Sequence, residues 1–152
     1  MLTPNDYLQT PEWVYDPLGP FDLDPCAGKD TNIGITNWCD QLGQDGLEKD
    51  WFGFVFCNPP FSQKTPWIEK MKKHGNGLLL LPERGSAPWF GPTALAAGSY
   101  FVMGKKINFN GGSSSNNVGS VLFCFGEEAA RRINRLALPG HLVHVQYFIE
   151  RN

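Results

Sequence analysis

Phe54-Val55-Phe56-Cys57-Asn58-Pro59-Pro60-Phe61 begins as an apolar run, the pattern of a strand buried on both faces of a parallel sheet. It ends in Asn-Pro-Pro, which neither continues a sheet nor opens a helix cleanly. A strand is therefore predicted to stop at Cys57 and to leave a stiff polar loop at its carboxyl end. In open α/β sheets, ligands bind there. The loop also has a chemistry. An aromatic amine or an amide nitrogen is a poor nucleophile because its lone pair is delocalised. The Asn58 side-chain oxygen and the Pro59 carbonyl are placed to accept both hydrogens of such a group, localising the lone pair and aiming it at an electrophile. Pro59 and Pro60 fix the carbonyl direction, and Phe61 offers a flat face to a planar acceptor.

The surrounding chain reads as an α/β domain. Upstream, Thr10-Pro11-Glu12-Trp13 predicts a short helix capped by Thr10, with Pro11 in its first turn, ending near Tyr15. Phe21-Asp22-Leu23-Asp24 predicts a strand that ends in an acid, followed by the small-residue turn Pro25-Cys26-Ala27-Gly28. An acid and a tight turn after a first strand suit a nucleotide-like cofactor, although Gly-x-Gly-x-x-Gly is absent. Residues 29–51 are irregular, with a short strand expected around Ile33–Cys39 and a turn at Asp45-Gly46-Leu47.

Downstream, Thr65-Pro66-Trp67 opens a helix that runs to His74 and stops at a left-handed Gly75, with Ile68 and Met71 on its apolar face. Gly77 to Pro82 is a second buried strand. The segment from Pro88 to Ala97 is expected to be partly helical, with a break at Gly91-Pro92. Tyr100–Met103, Lys105–Phe109, Val118–Phe125 and Leu142–Ile149 read as strands, and Glu127–Leu136 as a helix with acids first and arginines late. Gly111 to Asn117 has the composition of a flexible loop. Alternating strands and helices followed by a strand-rich end predict an α/β fold.

At 152 residues the expectation is one domain spanning 1–152, with no separate target-recognition domain. The longest apolar run, Val121 to Phe125, is far too short to cross a bilayer, and the amino terminus lacks a signal-peptide pattern. A cytoplasmic location is therefore expected. Four widely spaced cysteines give no zinc-type pair, so no metal is expected. His74, His141 and His144 read as surface or packing residues. A net charge of −2 excludes a surface coated in phosphate-binding cations, but leaves room for local basic clusters.

Taken in order, these pieces resemble the small phage-encoded Dam-like DNA adenine methyltransferases, class I enzymes that use S-adenosylmethionine. The resemblance rests on Thr10-Pro11-x-x-Val14, Phe21 to Ala27, Asp45-Gly46-Leu47, Asp50-Trp51-x-Gly53, Val55 to Phe61, Leu80-Leu81-Pro82-x-Arg84 and Trp89-Phe90. It implies a Rossmann-like fold with a mixed, mostly parallel sheet flanked by helices. It also implies S-adenosylmethionine as cofactor, with Asp24, Pro25, Cys26 and Ala27 at its methionine portion, Thr10 and Pro11 closing over it, and Asp45 and Leu47 near its adenosine. Asn58, Pro59, Pro60 and Phe61 match the catalytic loop, with Phe61 replacing the more usual tyrosine. Residues 29–44 match loosely, which leaves the ribose contact unassigned.

The acceptor would be adenine in DNA, either flipped out of a duplex or in a single strand. DNA contacts are expected from Lys64, Lys70, Lys73, Arg84, Lys105 and Lys106. Two other readings share the loop. In one the acceptor differs, since a cytosine, an RNA base or a protein glutamine also presents a planar NH₂ group. In the other the fold serves as an inactive nucleic-acid-binding module.

Overall fold

A computed structural model describes residues 9–102, 106–109, 114–115, 118–135 and 140–143. In chain order the elements are α1 (Glu12–Tyr15), β1 (Phe21–Asp24), β2 (Gly34–Asn37), β3 (Val55–Cys57), α2 (Lys64–His74), β4 (Gly77–Pro82), α3 (Phe90–Ala96) and β5 (Gly98–Val102). They continue with β6 (Asn108–Phe109), β7 (Ser114–Ser115), β8 (Ser120–Phe125), α4 (Glu127–Ile133) and β9 (Gly140–Val143). Among the described residues a seven-stranded sheet has the order β2-β1-β3-β4-β8-β5-β9, and β6 and β7 form a separate hairpin. Strands β2, β1, β3, β4 and β5 run one way, whereas β8 and β9 run the other. The fold is α/β, with a mixed, mostly parallel sheet flanked by helices, consistent with a class I methyltransferase fold.

The apolar runs that read as buried strands divide between two faces. Phe21, Phe56, Leu78 and Leu80 join Val14, Ala129 and Ile133, which belong to α1 and α4. Leu23, Val55, Leu79 and Leu81 join Trp67, Ile68, Met71 and Phe90, from α2 and α3. Successive strand side chains point to opposite faces, so a run of four leucines serves both layers only if both are covered. One arginine of α4 serves the same packing. Arg132 donates to the carbonyls of Leu18 and Pro20, and its guanidinium lies 4.1 Å from the centroid of Phe54.

The strand order reverses at β1. The chain leaves β1 for β2 on one side and returns as β3 on the other, with Leu23 in register with Val55. The carboxyl ends of β1 and β3 are therefore neighbours at a topological switch point, where open α/β sheets form their binding crevice.

Several expectations need correction. Thr10 does not cap α1: Pro11 holds the cap position, and no side chain bonds to the helix end. Gly91-Pro92 does not break α3, because Pro92 lies in the first turn, where a missing N–H leaves no helical bond unmade. Residues 29–51 are irregular as expected, apart from β2 and a 3₁₀ turn, Asp40–Leu42. Within Gly111 to Asn117, Ser114–Ser115 pairs with Asn108–Phe109 instead of forming part of an irregular loop. The predicted last strand begins earlier, at Gly140, and its residues 144–149 lie outside those described. In contrast, β1, β4 and the α2 stop at Gly75 (φ 73°) match their predicted bounds. No helix among the described residues is long and apolar enough to cross a membrane.

Candidate active site

A cavity of about 330 Å³ opens at the switch point, within the size range of small-molecule sites (roughly 300–1,000 Å³). Most of its lining comes from three stretches of chain: residues 25–30 after β1, residues 40–47, and the loop after β3 with the start of α2. Gln9 joins them from the segment before α1. Pro25, Cys26, Ala27, Asp45, Leu47, Asn58 and Pro60 all line it.

The β1 turn is rigid for identifiable reasons. Asp24 Oδ1 accepts the Cys26 N–H at 3.0 Å, an Asx turn at the strand end. Ala27 N donates to Trp38 O and Trp38 N to Asp24 O, both at 2.9 Å, so the turn is tied to the chain leaving β2. Asp24 is only 3 % exposed and stands behind the wall, not in it. Burial pushes its carboxyl up to about 7, partly offset by the Cys26 N–H.

The sign of the resulting pH dependence follows. Between its ordinary value of 3.8 and about 7, the folded carboxyl keeps a proton that the unfolded chain has released, so stability falls as pH rises through that window. The full effect is on the order of 4 kcal/mol. Asp24→Asn keeps the acceptor for Cys26 N and removes the ionisation. Urea unfolding between pH 4 and pH 8 should show a flatter stability profile for this variant (about pH 4–8 spans the window). Parallel profiles for the two proteins would show that Asp24 does not titrate there.

The second wall is pressed against the first. A methyl on Gly46 would lie 2.0 Å from Pro25 O, so only glycine allows this approach. The Gly46 carbonyl accepts Trp51 Nε1 at 2.8 Å, and Asp45 Oδ1 accepts Leu47 N at 2.8 Å. Lys70 on α2 donates to the carbonyls of Leu47 and Lys49 and lies 5.7 Å from the Trp51 ring centroid. Trp51 is followed by Gly53, whose φ of +66° and close approach to Asp22 let the chain enter β3; Asp22 accepts Phe54 N at 2.7 Å.

The third wall carries Asn58, half-buried one residue beyond β3. Its Nδ2 donates to Thr10 Oγ1 at 3.0 Å. Pro59 and Pro60 are buried, and Phe61 opens a 3₁₀ turn, Phe61–Gln63, that leads into α2. The Phe61 ring meets Phe109 of the hairpin edge-on at 6.4 Å, while Lys64 Nζ donates to Phe61 O at 2.8 Å and lies 5.2 Å from the Trp89 ring centroid.

A model of the DNA N-6-adenine-methyltransferase (Dam) family matches residues 3–138. The chain belongs to this family. No curated protein and no solved structure matches it. As a Dam-family enzyme it is an adenine-specific DNA methyltransferase, and its substrate is DNA.

Not every residue singled out in the sequence reaches the cavity of this Dam-family chain. Thr10, Pro11, Asp24, Pro59 and Phe61 do not line it. Of the expected DNA contacts, Lys64 and Lys70 are engaged with backbone carbonyls and indole rings of their own fold. Lys73 is exposed near the end of α2, which has returned to the edge where β3 begins; its neighbour His74 reaches Gly53 O at 2.8 Å. Arg84 is exposed just beyond the carboxyl end of β4, on the cavity side of the sheet, and Lys106 is exposed just before the hairpin that meets Phe61. Lys105 lies outside the described residues. Gln44, Gln63 and Trp67 line the cavity and carried no sequence signal for it. Trp67 also belongs to the buried apolar face of α2.

Proposed function

We propose that this chain transfers a methyl group from S-adenosylmethionine to the exocyclic amino group of adenine in DNA, with Asn58 and the Pro59 carbonyl holding the acceptor amine. The observation that carries the reading is Asn58 at the carboxyl end of β3, on the wall of the same cavity as the β1 turn and the Asp45–Leu47 loop. S-adenosylmethionine, when bound, supplies an electrophilic methyl on a positively charged sulfur.

The residues of the cavity suit that cofactor. Asp30, Asp40 and Asp45 offer carboxylates for a cationic ligand with hydroxyl groups, while Leu47, Pro60 and Trp67 offer apolar surface for a flat ring. Pro25, Cys26 and Ala27 would hold the methionine portion, and Leu47 with Asp45 the adenosine. Asp24 and Gly46 act by shaping these walls. The acceptor adenine must leave the base stack to reach Asn58, by flipping or by being presented in a single strand. Phe61 would stack on its ring. No strong base is needed at Asn58, because the amine becomes acidic once alkylated and its proton can leave afterwards.

Nucleoside analysis tests this directly. DNA incubated with protein and S-adenosylmethionine, then digested, should contain N6-methyladenine; methyl groups found only on cytosine, on RNA or on protein would overturn the acceptor.

DNA would approach over the carboxyl edge of the sheet, which makes Arg84 and Lys106 the phosphate contacts. Arg84→Ala should lower DNA affinity and reduce the salt slope by about one ion, whereas Lys73→Ala should leave the slope unchanged. Titrations of labelled DNA at several salt concentrations check both, and the reverse pattern would place the DNA on the other edge. Lys70→Met should cost about 1–2 kcal/mol of stability through its lost carbonyl bonds and weaken cofactor binding, with the DNA salt slope intact. Calorimetry and denaturant unfolding separate this outcome from loss of a phosphate contact, which would change the slope alone.

A further inference from the structure

We propose that Thr10 orients the Asn58 amide. The inference rests on the proposed role of Asn58 and assigns it a positioning partner outside the cavity.

An asparagine side chain has one acceptor end and one donor end of nearly the same shape, exchanged by a half-turn about its last bond. Only the oxygen end can accept a hydrogen from an amine. Presented the other way round, the amide would set N–H against N–H and could not localise the acceptor lone pair. A site built on asparagine therefore needs a neighbour that holds the donor end, and a hydroxyl, which can accept or donate, does so when it accepts. Thr10 Oγ1 accepts from Asn58 Nδ2 at 3.0 Å, across a separation of 48 residues.

Three further observations point the same way. Thr10 is 6 % exposed, so water competes little for its hydroxyl. The hydroxyl does not cap the following helix, whose cap position is Pro11. Asn58 lines the cavity and Thr10 does not, so the donor end of the amide is bound on the side of the fold, and its oxygen is the end turned away from Thr10. The Thr10-Pro11 piece thus meets the Asn-Pro-Pro piece through a side-chain hydrogen bond. Pro11 fixes the chain beside it, with Val14 N donating to Pro11 O at 3.1 Å.

The test combines a readout on the resting protein with a kinetic one. Nitrogen-15 spectra of the full chain, without cofactor or DNA, report the Asn58 side-chain NH₂ pair, assigned by its loss in Asn58→Ala. Its exchange with water should be about ten-fold or more slower than that of exposed asparagines in the wild type and in Thr10→Ser, and should lose this protection in Thr10→Val. In steady-state assays Thr10→Val should lower kcat by about ten-fold or more with cofactor Kd nearly unchanged, and Thr10→Ser should recover most of the rate. An unprotected Asn58 amide in the wild type overturns the proposal, and that measurement needs no Thr10 variant to fold. Wild-type kcat in Thr10→Val overturns it too. So does a loss of cofactor affinity that matches the loss of rate, which would make Thr10 a cofactor contact. If the wild type methylates nothing while its Asn58 amide is protected by Thr10, the functional reading fails and the orientation stands.

Discussion

Asn58→Ala should give a folded protein that binds S-adenosylmethionine nearly as well as the wild type and methylates adenine about 100-fold more slowly, or worse. The folded state should survive because the loop does not depend on this side chain. β3 ends at Cys57 whatever follows, the buried Pro59 and Pro60 fix the backbone, and the Lys64 ammonium holds the Phe61 carbonyl at 2.8 Å. The structural loss centres on the hydrogen bond to Thr10, whose buried hydroxyl would lose this donor at a cost of about 1–3 kcal/mol. Cofactor affinity should change little because residues 25–30 and 40–47 supply most of the wall.

Rate is different. The amide oxygen would act on charge that develops at the amine nitrogen in the transition state, and deleting one such preorganised group from an enzyme costs about 2.7–4 kcal/mol of barrier. Single-turnover methylation with calorimetric cofactor titration separates the two quantities. A rate within a few-fold of the wild type would remove Asn58 from the chemistry, and a parallel loss of affinity would make it a cofactor contact instead.

Much of the architecture was readable in the sequence because the strands at its centre are buried on both faces. In a chain of this size, uninterrupted apolar runs at Val55–Cys57 and Gly77–Pro82 fit little besides doubly covered strands, and prolines or glycines mark where they end. Local signals also sufficed at Gly75, whose left-handed turn stops α2. Non-local contacts were harder to read. Thr10 has the spacing of a cap, yet its hydroxyl meets a residue 48 positions away. Lys64 and Lys70 look like surface cations, but tertiary structure places carbonyls and indole rings within their reach. Asp24 reads as an acid at a strand end, and only the fold shows it bonding Cys26 N from behind the cavity wall. The irregular connections on either side of β2 have no periodicity to betray where Gln44 faces, and only folding brings it to the cavity. The spacing of Asp45-Gly46-Leu47 and Asp50-Trp51-x-Gly53 was visible without its cause. Trp51 ties down the Gly46 carbonyl, and Gly53 allows the chain past Asp22.

Gly46→Ala should cost several kcal/mol of stability and weaken cofactor binding about 100-fold or more. The added carbon would lie 2.0 Å from Pro25 O and 2.9 Å from Pro25 C, so both clashes are with backbone and no rotamer relieves them. Neither wall can yield cheaply. The Pro25 turn is held through Ala27 N on Trp38 O and Trp38 N on Asp24 O. The Gly46 loop is held through Trp51 Nε1 and Lys70 Nζ. Relief therefore requires moving one wall by roughly 1 Å, a displacement that close-packed interiors resist and that widens the cavity between these two loops. Gly85→Ala is the matched control, because a methyl there meets nothing within 4 Å. Denaturant unfolding and calorimetric titration of both variants against the wild type decide the matter. Wild-type stability and affinity in Gly46→Ala would mean that the two walls are not in contact, and that the Asp-Gly-Leu spacing has another cause.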